Sequence, residues 1–151
     1  MILIKNSQRT IKINLNKLQE DAQKILRILR YEDFDLGIWL TTNKTIRNYN
    51  RDYRHKDKAT DILSFSYHAD LKPGKRIQVK TPEDKNLGDL IISLEYVQKV
   101  AQEFDQTLEQ RMQILLVHGI CHLQGYDHEL DEDYKVMHRK EMMLLNALKK
   151  I

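Results

Sequence analysis

The chain has 151 residues, of which 41% are apolar and 31% charged, and its formal net charge is +3 at pH 7. This composition excludes the apolar-poor, highly charged class of disordered chains, and the length suits one hydrophobic core. A sequence pI near 8.9 is compatible with a polyanionic partner but does not demand one. We therefore predict a single globular domain over residues 1–151.

Three features indicate the compartment in which the protein works. No apolar run approaches the roughly 20 residues of a membrane-spanning helix, since runs such as Ile114–Val117 are short. The N-terminal segment MILIKNSQRTIKINL has too short an apolar stretch, and no small-residue cleavage site, for a secretory signal. Cys121 is the only cysteine, so no intramolecular disulfide can form. We predict a cytoplasmic protein without membrane contact.

The chain begins with a predicted strand and a predicted helix. Residues Met1–Lys5 favour a strand, and apolar side chains then recur at helical spacing over residues 15–29. Asn14 or Asn16 can cap this helix, the latter with Gln19 in capping-box position.

Beyond this helix the sequence predicts three more strands, one short helix and a long loop. Phe34–Thr41 is the second predicted strand, and Asn43 opens the short helix. Asp61–Tyr67 and Asp89–Ile92 are rich in strand-forming residues and predict two further strands. The polar stretch between them, residues 69–86, contains both prolines of the chain, so we predict an exposed, mobile excursion there.

The C-terminal part predicts three helices, at Leu94–Phe104, Leu108–Leu123 and Glu132–Lys149. Thr107 and Gln110 form a capping-box signal at the start of the middle one. This helix is apolar on all sides in its second half, which predicts a central, buried position. The order of elements predicts an α+β domain with one small mixed β-sheet of about four strands, packed by about five helices.

The segment VHGICHLQGYDH carries the strongest functional signal. His118 and His122 are four residues apart, so on a helix their rings project from one face. Gly125 can adopt the left-handed conformation that ends a helix, which lets the chain reverse and bring His128 toward the pair. A histidine taken singly is more often an ordinary core or surface residue, but the three at this spacing predict a metal site at the end of the central helix.

Three histidine ligands would leave a tetrahedral ion with one open coordination position, as in catalytic zinc sites. Water bound there would become more acidic. We predict one zinc ion per chain, with nickel or copper as alternative occupants because imidazole suits them as well.

Three neighbours of the histidines bear on the chemistry. The pattern resembles that of metzincin proteases, but Gly119 stands in place of their general-base glutamate, which argues against a peptidase. Cys121 lies about 60° from His118 around the helix, away from His122, so we predict a buried thiol and not a ligand. Asp127 can orient a ligand imidazole from behind or simply form a turn, and the sequence favours neither role.

A basic segment, Lys44–Lys58, combines cationic and aromatic side chains. Guanidinium groups grip phosphates and aromatic rings stack on unpaired bases, so the segment suits single-stranded nucleic acid. Tyr49 and Tyr53 are interleaved with the cations. A charge run alone is more often a solvated helix face. The basic residues of the segment are Lys44, Arg47, Arg51, Arg54, Lys56 and Lys58.

Three blocks of the sequence form recognisable motifs. They are HGICHLQGYDH at His118–His128, YRHKDKATDILSFSY at Tyr53–Tyr67 and LGDLIIS at Leu87–Ser93. The first resembles the H-G-x-L-H-L-x-G-Y-D-H signature of the YbeY family of bacterial rRNA maturation factors, with Cys121 where the family usually has leucine. The other two blocks agree with this resemblance, which extends from Asn43 to the C-terminal helix.

The resemblance implies a metal-dependent, single-strand-specific endoribonuclease that acts in 16S rRNA 3′-end maturation and ribosome quality control. It implies zinc at the three histidines, and single-stranded RNA, rRNA and the ribosomal small subunit as partners, with no DNA expected. Arg54 matches the family's functionally important arginine, to which we assign phosphate binding and stabilisation of transition-state charge. The other cations of Lys44–Lys58 become candidate RNA contacts. His55, His68 and His138 match no catalytic motif.

One alternative keeps the same site without the reaction: a ribosome-assembly factor whose metal is structural and which only binds RNA. The nucleophile is also open at this point, because either water or an RNA 2′-hydroxyl fits the sequence. No side-chain general base is evident from the residue pattern.

Overall fold

The computed structural model describes residues 1–150, which form four strands and five α-helices. In chain order these are β1 (Ile2–Asn6), α1 (Leu15–Ile28), β2 (Asp35–Thr41), α2 (Asn43–Arg54), β3 (Ile62–Ser66), β4 (Asn86–Ser93), α3 (Leu94–Glu103), α4 (Leu108–Leu123) and α5 (Asp131–Lys149). The predicted α+β class is confirmed, and the predicted bounds of α4 agree with the structure at both ends. Over residues 1–150 no helix has the length and hydrophobicity that a membrane crossing requires.

The four strands form one mixed sheet in the order β1-β2-β4-β3. β1 pairs with β2, and β2 with β4, in parallel, whereas β3 pairs with β4 in antiparallel register. β4 begins at Asn86 and not at the predicted Asp89, because Asn86 already pairs with Asp35 of β2. The register shifts after this pair, since Leu36 pairs with Gly88, which has a positive φ. β3 forms one edge of the sheet, where backbone groups lack a strand partner.

The two faces of the sheet are covered unequally. Successive residues of β4 point to opposite faces, so Leu90 and Ile92 enter the main core. Ile91 packs on the other face against Ile46 of α2. Eight residues of α4 are buried, which confirms the central, buried position predicted for this helix.

Local hydrogen bonds set where two of the helices begin. Asn14, and not Asn16, caps α1, because its side-chain oxygen accepts a hydrogen bond from the Lys17 N–H at 3.0 Å. The predicted capping box of α4 is present: the Gln110 N–H donates to the Thr107 hydroxyl at 3.1 Å, and the Thr107 N–H donates to the Gln110 side chain at 2.9 Å. These bonds fix the start of the helix that carries two histidines at its other end.

Residues 69–86 are exposed over most of their length, as predicted, but they are anchored at their centre. The Arg76 guanidinium donates to two carbonyls just beyond the end of α1, at 2.6 and 2.8 Å, and lies 4.0 Å from the Tyr31 ring centroid. Ile77 is only 8% exposed, so the prediction of exposure is wrong for this residue. The anchoring has a simple cause, because the last carbonyls of a helix need donors from outside it.

Candidate metal centre

The structure brings the three histidines together at the C-terminal end of α4. His118 and His122 lie one turn apart on the helix, and Gly125 follows its end at φ = 92°. A Cβ at Gly125 would collide with the Leu71 carbonyl oxygen, so glycine is required for the turn that returns His128 to the pair. One nitrogen from each of the three rings lies within 4.8 Å of the others.

Hydrogen bonding and burial hold His122 in the form that binds metals. A carbonyl oxygen can only accept, so Nδ1–H of His122 donates to the Tyr126 carbonyl at 2.9 Å. Burial, and after it the nearby His118, lowers the pKa of His122 to about 4. The ring is therefore neutral near pH 7, and its Nε2 carries a free lone pair.

A carboxylate orients His118 in the same way. Its Nδ1–H donates to Oε2 of Glu141 at 2.9 Å, and its Nε2 lies 3.0 Å from Nε2 of His122. Two lone pairs this close repel each other unless a proton or a metal ion lies between them. The third ring, His128, favours the metal ion, and nitrogen ligands of tetrahedral zinc would be about 3.3 Å apart. The donor set therefore fits a metal ion.

Glu141 contacts this centre, and the sequence pattern did not reveal it. It lies on α5, 23 residues after His118, and its side chain is only 16% exposed. Along α5 it falls in the buried stripe formed by Met137, Leu144 and Leu148. A lone acidic residue in an apolar stripe is a signal that could have identified it, because buried carboxylates need a partner.

Asp127 lies next to His128 in the chain, but its carboxylate forms a turn. It accepts a hydrogen bond from the backbone N–H of Glu129 at 3.4 Å, two residues on, as in an Asx turn. The acceptors behind the two helical histidines come from other residues. Of the two roles that the sequence left open for Asp127, the geometry therefore supports the turn.

Packing explains the residues between the two helical histidines. A Cβ at Gly119 would lie 2.8 Å from methyl carbons of Ile62 and Leu90, so a larger side chain at this position would have to displace both of them. Cys121 is fully buried, as predicted, and burial raises the pKa of its thiol to about 12. It is a neutral core residue and takes no part in the ligand cluster.

The three histidines line a cleft of about 600 Å³, which α4 forms together with β3 and the end of α2. Arg54, the last residue of α2, lines the same cleft, as do Lys56 and Lys58. The Arg54 guanidinium donates one hydrogen bond, at 2.8 Å, to the Ser64 carbonyl on the edge strand. Its other N–H groups are available to a ligand, since guanidinium carries five. The cleft thus combines three imidazoles that could hold a metal ion with cationic side chains.

The remaining cations of the basic segment lie on a different surface. Lys44, Arg47 and Arg51 line a second depression along α2, and Lys58 borders both surfaces. Two hydrogen bonds, at 2.8 and 3.3 Å, join Arg47 to Asp57, and they lower the pKa of that carboxyl. The predicted set of RNA contacts therefore divides into cations beside the histidines and cations away from them.

The other three histidines do not join the centre. His55 ends α2 in the left-handed conformation at φ = 60°. A ring nitrogen of His68 lies 2.8 Å from the Asp84 carbonyl, and the ring of His138 stacks on Tyr134 with 5.6 Å between centroids. Within residues 1–150 the ligand cluster consists of His118, His122 and His128.

Fold and site together define a class of protein: an α+β domain in which three histidines that can hold a metal ion share one cleft with basic side chains. A model of the Endoribonuclease YbeY family matches residues 3–149. The chain therefore belongs to the YbeY family, and the resemblance found in its motifs is confirmed.

Individual relatives cover nearly the whole chain. It is 36% identical over 147 residues to the Endoribonuclease YbeY of Homo sapiens, covering 97% of this chain and 87% of the relative. It is 40% identical over 137 residues to the Endoribonuclease YbeY of Sulfurihydrogenibium sp. (strain YO3AOP1), which covers 90% of this chain and 84% of the relative. The solution structure of TM1509 from Thermotoga maritima is similar with a TM-score of 0.64 and 25% identity, over 98% of this chain and 89% of that one.

Proposed function

We propose that this chain is a metal-dependent endoribonuclease that cleaves single-stranded RNA in the histidine cleft. The observation that carries the proposal is the shared cleft itself, in which three imidazoles suited to a metal ion face the same space as Arg54. Relatives of this chain are named endoribonucleases, which supports the assignment of RNA as substrate.

We assign zinc to the three histidines, in agreement with the family resemblance and with imidazole chemistry. Zinc bound by these three imidazoles would supply Lewis-acid chemistry, acidifying water and polarising phosphodiester oxygens. Glu141 and the Tyr126 carbonyl hold two of the imidazoles with Nε2 toward the cleft, so these nitrogens need no reorganisation on binding.

Arg54 holds the scissile phosphate in this proposal. Its hydrogen bond to the Ser64 carbonyl fixes the guanidinium at the cleft wall, and its remaining donors fit two phosphate oxygens. The same group stabilises the charge that develops on the phosphate in the transition state. Lys56 and Lys58 contact the flanking phosphates.

We place this activity in the cytoplasm, in the 3′-end maturation of 16S rRNA and in quality control on the ribosomal small subunit. The family resemblance supports this placement. The termini of the RNA products identify the nucleophile, because a cyclic phosphate excludes direct attack by water and requires the 2′-hydroxyl.

The test combines metal analysis of the purified protein with cleavage of a single-stranded RNA, with and without a chelator. We expect one metal ion per chain and cleavage that the chelator abolishes. His118→Ala should lose RNA cleavage and retain the circular dichroism spectrum of the native chain. His138 lies outside the centre, so His138→Ala should retain RNA cleavage. A folded, metal-free chain that still binds RNA and assists ribosome assembly would support the assembly-factor alternative instead.

A further inference from the structure

The sheet face on which α2 packs is only partly covered. Beside α2 a groove of about 470 Å³ crosses all four strands, from Leu3 and Lys5 on β1 to Phe65 on β3. Leu3 and Tyr53 within it are 63% and 59% exposed. A large exposed apolar surface of this kind indicates a binding site.

Four aromatic rings follow one another along this groove. The ring centroids of Trp39 and Tyr49 are 5.5 Å apart, those of Tyr49 and Tyr53 5.8 Å, and those of Tyr53 and Phe65 5.4 Å. Rings that already support one another lose little conformational entropy when a flat ligand stacks on them. The groove is therefore suited to flat, aromatic ligands.

The charges around the groove favour a nucleic acid over an apolar peptide. Nζ of Lys5 lies 4.6 Å from the Trp39 ring centroid, and the Arg54 guanidinium lies 4.8 Å from that of Phe65. Asp89, on the strand between these two rings, also lines the groove. Its carboxylate repels a phosphate but accepts a hydrogen bond from the amino group of a base. An RNA strand with its bases in the groove and its phosphates at Lys5 and Arg54 would give each of the three charged groups a partner.

Arg54 connects this groove with the histidine cleft. Side chains alternate along β3, so Ser64 and Ser66 line the cleft while Phe65 lines the groove. Arg54 lies across the strand edge, where it donates to the Ser64 carbonyl and covers the Phe65 ring. One RNA strand can therefore pass from the cleft around the edge of β3 with a phosphate on Arg54.

We propose that the groove is an extended subsite for single-stranded RNA, in which about two or three bases stack on the aromatic rings. The strand continues from the groove past Arg54 into the histidine cleft. This inference rests on the proposed endoribonuclease function, because it takes the cleaved strand as the ligand.

Trp39 is the only tryptophan of the chain, so intrinsic fluorescence reports on the groove. The probes are an octanucleotide and a trinucleotide RNA, both with 2′-O-methyl sugars. We expect the octanucleotide to change this fluorescence and to bind more tightly than the trinucleotide. Tyr53→Leu keeps apolar bulk but removes a ring, and it should reduce this gain in affinity with length about 10-fold. The control Phe104→Leu removes a ring that is 64% exposed and lies outside the groove, and it should keep the gain.

Unchanged Trp39 fluorescence, or the same gain with length in Tyr53→Leu and the native chain, would overturn this proposal. The proposal would also be overturned if a protein bound the native chain but not Tyr53→Leu while both bound RNA equally, because the groove would then belong to a protein partner. Failure of the proposed function gives a different result. A chain that binds the octanucleotide in the groove but cleaves no RNA would contradict the nuclease assignment and support the subsite.

Discussion

The Nδ1–H of His118 donates a hydrogen bond to the Glu141 carboxylate at 2.9 Å, which ties the metal centre at the end of α4 to the helix that follows it. An acceptor behind a ligand imidazole fixes its orientation and raises its basicity. We therefore expect a residue far along the chain to influence how tightly the three histidines bind a metal ion.

Glu141→Ala should lower metal affinity about 10- to 100-fold, because His118 loses the partner that aims its Nε2. Chelator competition with the purified protein measures this. Glu141→Gln keeps an acceptor oxygen for His118, so its metal affinity should fall less than that of Glu141→Ala. Glu132→Ala, an exposed acidic residue of the same helix, is the control. Equal affinities in Glu141→Ala and Glu132→Ala would contradict a positioning role.

Arg54→Lys should reduce RNA cleavage about 100-fold with metal content unchanged, because an ammonium cannot reproduce the fork that holds two phosphate oxygens. Single-turnover cleavage of a short single-stranded RNA is the measurement. Arg51→Lys, on the same helix but on the other basic surface, provides the comparison. A rate in Arg54→Lys within a few-fold of the native rate would rule out bidentate phosphate binding.

RNA affinity should fall steeply as salt concentration rises, because phosphate contacts release counterions. Lys56→Gln should make the logarithmic slope shallower by about 0.7, the value for one contact to a single strand. Lys99→Gln, an exposed lysine on α3, should leave the slope unchanged. A native slope near zero would contradict the assignment of the cleft cations to phosphates.

Cys121 should resist thiol reagents in the folded protein and react after unfolding in urea. Burial raises its pKa from a usual value near 9 to about 12, so the folded chain holds almost no thiolate at pH 8. Because the unfolded chain loses the thiol proton above about pH 9 and the folded chain keeps it, the free energy of unfolding falls as pH rises from 9 toward 12. Below about pH 9 the thiol is protonated in both states, and its contribution to stability is fully present. Rapid labelling of the native chain at pH 8 would contradict the buried position.

Several features of the fold and of the centre could be predicted because they depend on neighbours in the chain. The bounds of α4 follow from its apolar periodicity and from the Thr107–Gln110 capping box. The convergence of the histidines follows from a four-residue spacing and from Gly125, which alone permits the turn at φ = 92°. These signals act within one or two helical turns, so sequence suffices.

The remaining features depend on residues that only packing brings together. Glu141 reaches His118 because α5 lies along α4, and Ile77 is buried because Arg76 binds beyond the end of α1. The division of the basic segment follows from where α2 ends beside the edge of β3. The sequence by itself thus determined the cluster of histidines that could hold a metal ion, and the family motifs. The tertiary structure decided which groups orient them and which cations face them, because those contacts join segments distant in the chain.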